Sequence, residues 1–202
     1  MRKIISGVAA TIAAGGIVLG GAALHSTADT APKKTDVVQA AAPAAAVKFT
    51  TRYFTCIHGE ECTNSALVPS TWRYVEVSEF RSRFVDKSNQ SVYFDVNYSY
   101  KLTTAQALKN RQKALKGTKG LKVLSTKTMT TKSTSGSGPL TVSTIVYTYK
   151  SGKTTRWVAN RYIGSYGSNL AGAELTVAGA PANSKFLGTV LLKATTSLAS
   201  FH

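Results

Sequence analysis

Lys109, Lys113 and Lys116 stand at i, i+4 and i+7, the spacing that stacks side chains along one side of an α-helix. Lys119 and Lys122 extend the series beyond it. Ammonium groups in such a row repel one another unless an anion lies over them, so the chemistry they offer is counter-charge attraction, not bond making. Their surroundings do nothing to neutralise them. Between Asp95 and Glu174 the chain has no carboxylate side chain, yet the interval also holds Lys101, Lys127, Lys132, Lys150, Lys153, Arg111, Arg156 and Arg161. Over the whole chain 25 Lys and Arg face 9 Asp and Glu, a formal charge of +16, and the middle of the domain must carry a positive field. Lys109, Lys113, Lys116, Lys119 and Lys122 are the expected binding residues. A solvated basic face that only keeps the protein soluble is the plain alternative.

A second pair of residues suggests covalent chemistry. Cys56 and Cys62 bracket Ile57-His58-Gly59-Glu60-Glu61; in an oxidising compartment an even cysteine count closes a disulfide. So short a ring adds only about 2 kcal/mol in the chain-entropy model and staples a local turn. Zinc wants four ligands and His58 is the single other soft donor nearby, so no metal is expected.

Catalytic patterns are scarce. The three histidines, His25, His58 and His202, all fall outside the stretches that alternate as strands, and no nucleophile elbow, zinc-helix motif or phosphate-cradling loop is present. Gly136-Ser137-Gly138 lacks the Lys-Ser/Thr that a phosphate loop needs. Glu76, Glu79, Asp86 and Asp95 crowd into the first strands, where a solvated strand face ordinarily carries charge. A small hydrolase built on Asp86, Asp95 or Glu174 is the enzymatic alternative. Tyr93, Tyr98, Tyr100, Tyr147, Tyr149, Trp157 and Tyr162 could stack on sugars or bases, although strands favour aromatics for packing alone.

The elements that position these residues read as mostly β. Val92, Phe94, Val96, Tyr98 and Tyr100 alternate with polar neighbours and predict one long strand, preceded by shorter strands over 72–78 and 80–87 with a turn at Ser88-Asn89-Gln90. Thr103 or Thr104 caps a helix reaching Lys116, ended by Gly117 and Gly120, with Ala105, Leu108 and Leu115 inward. Strands over 121–132, 140–150, 154–164 and 170–178 follow, joined by turn residues too few for parallel crossovers. After Pro181, Asn183 or Ser184 caps a last helix with an apolar stripe from Phe186 to Phe201.

The N-terminus sets the compartment. Arg2 and Lys3 precede an uncharged run from Ile4 to Leu24 that is diluted by glycine, the pattern of a secretory signal peptide with Ser26-Thr27-Ala28 as the best cleavage site and Ala44-Ala45-Ala46 as the second choice. Residues 1–28 are therefore read as the signal, 29–50 as an Ala/Pro/Thr-rich linker, and 51–202 as a single α+β domain. An uncleaved anchor is the lesser reading.

Val68-Pro69-Ser70-Thr71-Trp72, Arg83-Phe84-Val85-Asp86-Lys87-Ser88-Asn89 and Val92-Tyr93-Phe94-Asp95-Val96, followed by a capped helix and a long meander, resemble secreted actinobacterial proteins of the PsbP/Mog1/LpqN-like fold class. Tyr147-Thr148-Tyr149, Arg156-Trp157-Val158 and the C-terminal helix fit the same plan. The resemblance spans residues 68–202 and contains no catalytic signature. It implies an antiparallel sheet of about six to seven strands covered by helices, serving as a binding or scaffold module without a cofactor. The resemblance carries over no partner; the positive field points to an anionic cell-wall polymer, a phospholipid surface or an acidic protein, with nucleic acid less favoured. A secreted inhibitor or effector presenting the Cys56–Cys62 loop is a further alternative.

Overall fold

The computed structural model describes residues 47–57 and 61–200; for residues 55–57, 61–63 and 200 only the backbone is described. The expected signal segment, most of the linker, His58 and Phe201 lie outside the described residues.

Two antiparallel sheets form. β1 (Phe49–Ile57) and β2 (Glu61–Pro69) pair as a hairpin, and β10 (Ala199–Ser200) adds to β2 as a short third strand. The larger sheet has seven strands: β3 (Arg73–Ser78), β4 (Arg81–Val85), β5 (Ser91–Asp95), β6 (Lys122–Lys132), β7 (Pro139–Ser151), β8 (Thr154–Gly164) and β9 (Ala173–Gly179), in the order β3-β4-β5-β9-β8-β7-β6. Helix α1 (Thr104–Ala114) carries the chain from β5, third in that order, to the far edge β6, and α2 (Ser184–Thr196) follows a single 3-10 turn at Pro181–Asn183. The α+β class and the seven-stranded sheet agree with the sequence reading; the separate three-stranded sheet was not anticipated. No helix among the described residues is long and apolar enough to cross a membrane.

Alternation along the central strands sends residues to two different cores. Leu140 and Val142 of β7, Trp157, Ala159 and Ile163 of β8, and Leu175 and Val177 of β9 face α2 and the small sheet, where they meet Leu187, Val190, Leu191, Phe54, Phe84 and Phe94. Ile145 and Tyr147 of β7 and Val158 and Tyr162 of β8 face the other way, against Ala107, Leu108 and Leu115 of the α1 region. Burial on both faces leaves consecutive residues buried along β7 and β8, residues 142–145 and 157–160 among them.

Three expectations need correction. The strand expected over 92–101 stops at Asp95, because Asp95 Oδ1 accepts from Asn97 N and the chain turns; Tyr98 N and Ser99 N then donate to Gly172 O and Ala171 O instead of to a ladder. Ala105 is exposed and Ala107 takes its place in the core. The strand expected over 170–178 begins only at Ala173, with Leu170 left in an isolated bridge to Thr103. At α2 the N-cap is Asn183, but its side chain makes no capping hydrogen bond.

Candidate anion-binding corner and the polar network beside it

Helix α1 starts at a capping box: Thr103 Oγ1 accepts from Gln106 N at 3.1 Å, and Gln106 Oε1 accepts from Thr103 N at 2.9 Å. Thr104, Ala107 and Leu108 fix the buried side of the helix, which leaves Lys109, Lys113 and Lys116 exposed. Arg111 and Lys113 occupy the last turn, where cations suit the negative end of the helix dipole. Gly117 and Gly120, with φ of +85° and +66°, then turn the chain toward β6. That loop lies against the end of β7: Lys150 N donates to Lys119 O at 2.9 Å, and a Cβ on Gly120 would come 2.5 Å from Lys150 Cγ. Lys122 pairs in register with Thr148, two residues before Lys150.

One corner of the molecule therefore gathers Lys116, Lys119, Lys122 and Lys150, with Lys153 in the adjoining β7–β8 turn, all exposed. Among the described residues none of these lysines forms an ion pair; the two ion pairs present are Arg81–Asp95 and Arg111–Glu174. The exposed acids Glu76 and Glu79 lie on and just after β3, at the opposite edge of the sheet from β6. The five lysines taken from the sequence thus lie on α1, its following loop and the start of β6. Lys150 and Lys153 were missed as site residues. A hairpin in register returns the end of β7 to the start of β6, and that consequence of the short 133–138 turn would have found them.

Beside this corner the α1 face of the sheet carries a polar network. Reading across strands, Arg81, Asp95, Glu174, Tyr162 and Ser143 stand opposite one another in turn. Arg81 Nε donates to Asp95 Oδ2 at 2.8 Å. Arg111 reaches down from α1, donating from Nη2 to Glu174 Oε1 at 2.7 Å and from Nε to Tyr162 Oη at 3.2 Å. Asn160 Nδ2 and Thr176 Oγ1 donate to the same Glu174 oxygen at 2.9 and 3.2 Å. Burial works to lower the Arg111 pKa, but the Glu174 carboxylate and the Tyr162 hydroxyl outweigh it and hold the guanidinium above its ordinary range. Burial first, then the Glu174 charge, pushes Tyr162 upward as well.

An open cleft of about 430 Å³ lies over this network, lined by Arg111, Leu115, Tyr147, Tyr149, Arg156 and Asn160. Asn160 is 1% exposed, and its Oδ1 has no hydrogen-bond partner. With Nδ2 committed to a carboxylate the amide orientation is settled, so the cleft offers an acceptor without a donor.

The other chemical candidates disperse. Asp86 is spent on its own turn, accepting from Ser88 N, Gln90 N and Gln90 Nε2, while Asp95 and Glu174 stand opposite each other, each held by its own arginine. The aromatics do not form one platform: Tyr98 packs on Tyr162 at 5.1 Å and Tyr147 on Tyr149 at 6.2 Å, whereas Trp157 faces the opposite core. No metal-holding cluster of His, Cys, Asp and Glu occurs among the described residues. Cys56 stands opposite Cys62 in the β1–β2 register; their sulfur atoms and the rest of the loop lie outside the described residues.

No family model and no curated protein matches the chain. Among solved structures it is similar to LpqN of Mycobacterium tuberculosis, a protein involved in cell envelope biogenesis, at 14% identity and a TM-score of 0.49 over 78% of this chain and 92% of that one. It is also similar to PA94 of Pseudomonas aeruginosa, a protein of unknown function and putative regulator, at 14% identity and a TM-score of 0.41 over 73% and 94%. At these values neither likeness assigns an activity, a partner or a family to this chain.

Proposed function

We propose that this chain is an exported, non-enzymatic binding module that holds an anionic component of the cell envelope against its basic corner. One observation carries the reading: Lys109, Lys113, Lys116, Lys119, Lys122 and Lys150 are all exposed and, among the described residues, form no ion pair, while the exposed acids Glu76 and Glu79 stand at the far edge of the same sheet. A cluster of unpaired cations of this kind attracts a polyanion and accelerates its approach. The seven-stranded sheet beneath α1 supplies a rigid support. The carboxylates that a hydrolase would need serve instead as counter-ions and turn acceptors, which supports the non-enzymatic reading.

The test is co-sedimentation of the purified exported chain with isolated cell walls and, separately, with phosphatidylglycerol vesicles, at low and high salt. Binding should weaken as salt shortens the reach of the charges and should be lost in a Lys109→Glu, Lys113→Glu, Lys116→Glu variant. Binding that ignores both salt and charge reversal, or no binding to either surface, would remove this reading and leave an acidic protein as the partner to seek.

A further inference from the structure

The face of the sheet opposite α1 is the apolar one, and a guanidinium is set into it. On β8, Arg161 shares its side with Trp157, Ala159 and Ile163, and its register neighbours are Thr144 and Leu175. Nε donates to Thr144 Oγ1 at 2.9 Å and Nη1 to Thr195 Oγ1 of α2 at 3.0 Å. Both partners are neutral. Asp95 and Glu174 point to the other face of the sheet, and no carboxylate among the described residues lies within ion-pair distance of Arg161. Burial with no compensating charge lowers its pKa to about 10, so at neutral pH it stays a cation in poorly hydrated surroundings.

Arg161 lines a cavity of about 230 Å³ between α2 and the β6–β7 edge, together with Lys127, Ser125, Thr144, Trp157 and Gly188. Lys127, exposed on the edge strand β6, is a second cation on the same space and forms no ion pair among the described residues. Thr144 Oγ1 accepts from Arg161 and so keeps its own proton to donate; Ser125 brings another hydroxyl. Gly188 adds an independent observation. It lies inside α2, where glycine costs about 1 kcal/mol relative to alanine, yet a Cβ built there meets no atom within 4 Å. The helix gives up stability at the point where a side chain would begin to fill the cavity.

We propose that this cavity is a binding site for a phosphate-type oxyanion, free or as a monoester, with the Arg161 guanidinium and the Lys127 ammonium as its counter-charges and the Ser125 and Thr144 hydroxyls as neutral donors. A planar guanidinium matches phosphate oxygens in geometry as well as charge, and the Trp157 and Met129 side of the cavity offers an apolar wall to the body of an ester. The site stands apart from the basic corner and does not depend on it.

Inorganic phosphate, methyl phosphate and acetate are titrated into the ¹⁵N-labelled chain at constant ionic strength, following the Trp157 indole N–H and the Arg161 Nε–H by NMR. Phosphate and methyl phosphate should each give saturable shifts at both groups, and tighter binding of the ester would mark an esterified ligand as the occupant. Gly188→Leu should weaken binding at least tenfold by filling the cavity, and Lys127→Gln several-fold by removing one charge. Because Arg161→Gln also cuts a tie to α2, those two variants carry the test. The Lys109→Glu, Lys113→Glu, Lys116→Glu variant should keep the phosphate response whatever becomes of its sedimentation, which separates this site from the corner. No saturable shift with phosphate, a response to acetate alone, or equal affinity in wild type, Gly188→Leu and Lys127→Gln would each overturn the assignment.

Discussion

Arg111 and Arg161 touch opposite faces of one sheet, and their surroundings differ by a single step in strand phase. On β9 Glu174 points toward α1, where it meets Arg111, whereas Leu175 points toward α2 and stands opposite Arg161. The α1 face thereby holds a cation whose charge is answered inside the fold, with Asn160, Thr176 and Tyr162 completing the network. The α2 face holds a cation tied only to two threonine hydroxyls. Electrostatics follow the same division: the Arg111 pKa is raised, while burial lowers that of Arg161 to about 10. Taken together, the two arginines separate a charge used to build the fold from one that is free to meet a ligand.

If the α2 face is held by apolar packing, its largest sensitivity lies in the aromatic cluster that joins the two sheets. The rings of Phe54 and Phe94 sit 4.4 Å apart, and both side chains are fully buried. Phe94→Ala should cost about 4 kcal/mol, read as a fall in the urea midpoint at unchanged slope. On the α1 face the corresponding cut is Glu174→Leu, which leaves Arg111 without its carboxylate. That should cost about 3 kcal/mol, the low end for breaking a buried pair, because the Arg111 side chain remains 33% exposed. A loss under about 1 kcal/mol would mean that water already serves Arg111, and the contrast between the faces would fail.

Alkali should discriminate the faces without mutation. Tyr93, Tyr98, Tyr147 and Tyr162 stand on the α1 side of the sheet, and burial raises the pKa of all four. They stay neutral in the fold at a pH where the unfolded chain has begun to ionise them. Stability is therefore whole below about pH 10 and falls as pH rises beyond it. Arg161 acts in the opposite sense: with its pKa lowered to about 10, the fold gives up that proton before the unfolded chain does, so this one group adds stability as pH rises past about 10. Absorbance at 295 nm and near-ultraviolet circular dichroism, followed together, should show Tyr147 and Tyr162, the two buried members, ionising only as tertiary signal is lost. Free titration of all nine tyrosines near pH 10 with the dichroism intact would contradict the buried network.

What the sequence disclosed and what it hid follow the range of each interaction. The lysine row on α1 was legible because helical phase is a local property, and the 133–153 hairpins were legible from turn chemistry. The end of β5 was not: alternation runs on through Tyr100, while the Asp95 side chain and the carbonyls of Ala171 and Gly172 redirect the backbone. Pairing of β5 with β9 joins residues far apart in the chain, so the meeting of Arg111 with Glu174, 63 residues away, has no periodic signature. Arg161 was visible as one basic residue in an acid-free stretch. Its isolation was not, since that depends on which strand lies beside β8 and on the parity of Glu174.

The smallest effect is also the most discriminating. Arg111→Met should cost about 3 kcal/mol, because it strands Glu174, a carboxylate that is almost fully buried. Arg161→Met strands no charge. It removes donors to Thr144 and Thr195, but Thr195 Oγ1 still donates to Leu191 O at 2.6 Å, and a methionine can spread into an apolar wall that already includes Trp157 and Leu191. The lost neutral partners and the relief of a desolvated cation act in opposite directions, so the change in stability should stay within about 1 kcal/mol of zero. Parallel urea titrations of the two variants measure that difference directly. Equal losses would show that the hydrogen bonds of Arg161 to Thr144 and Thr195 are as structural as the Arg111–Glu174 pair, and a near-neutral Arg161→Met would show that this guanidinium is not what holds α2 to the sheet.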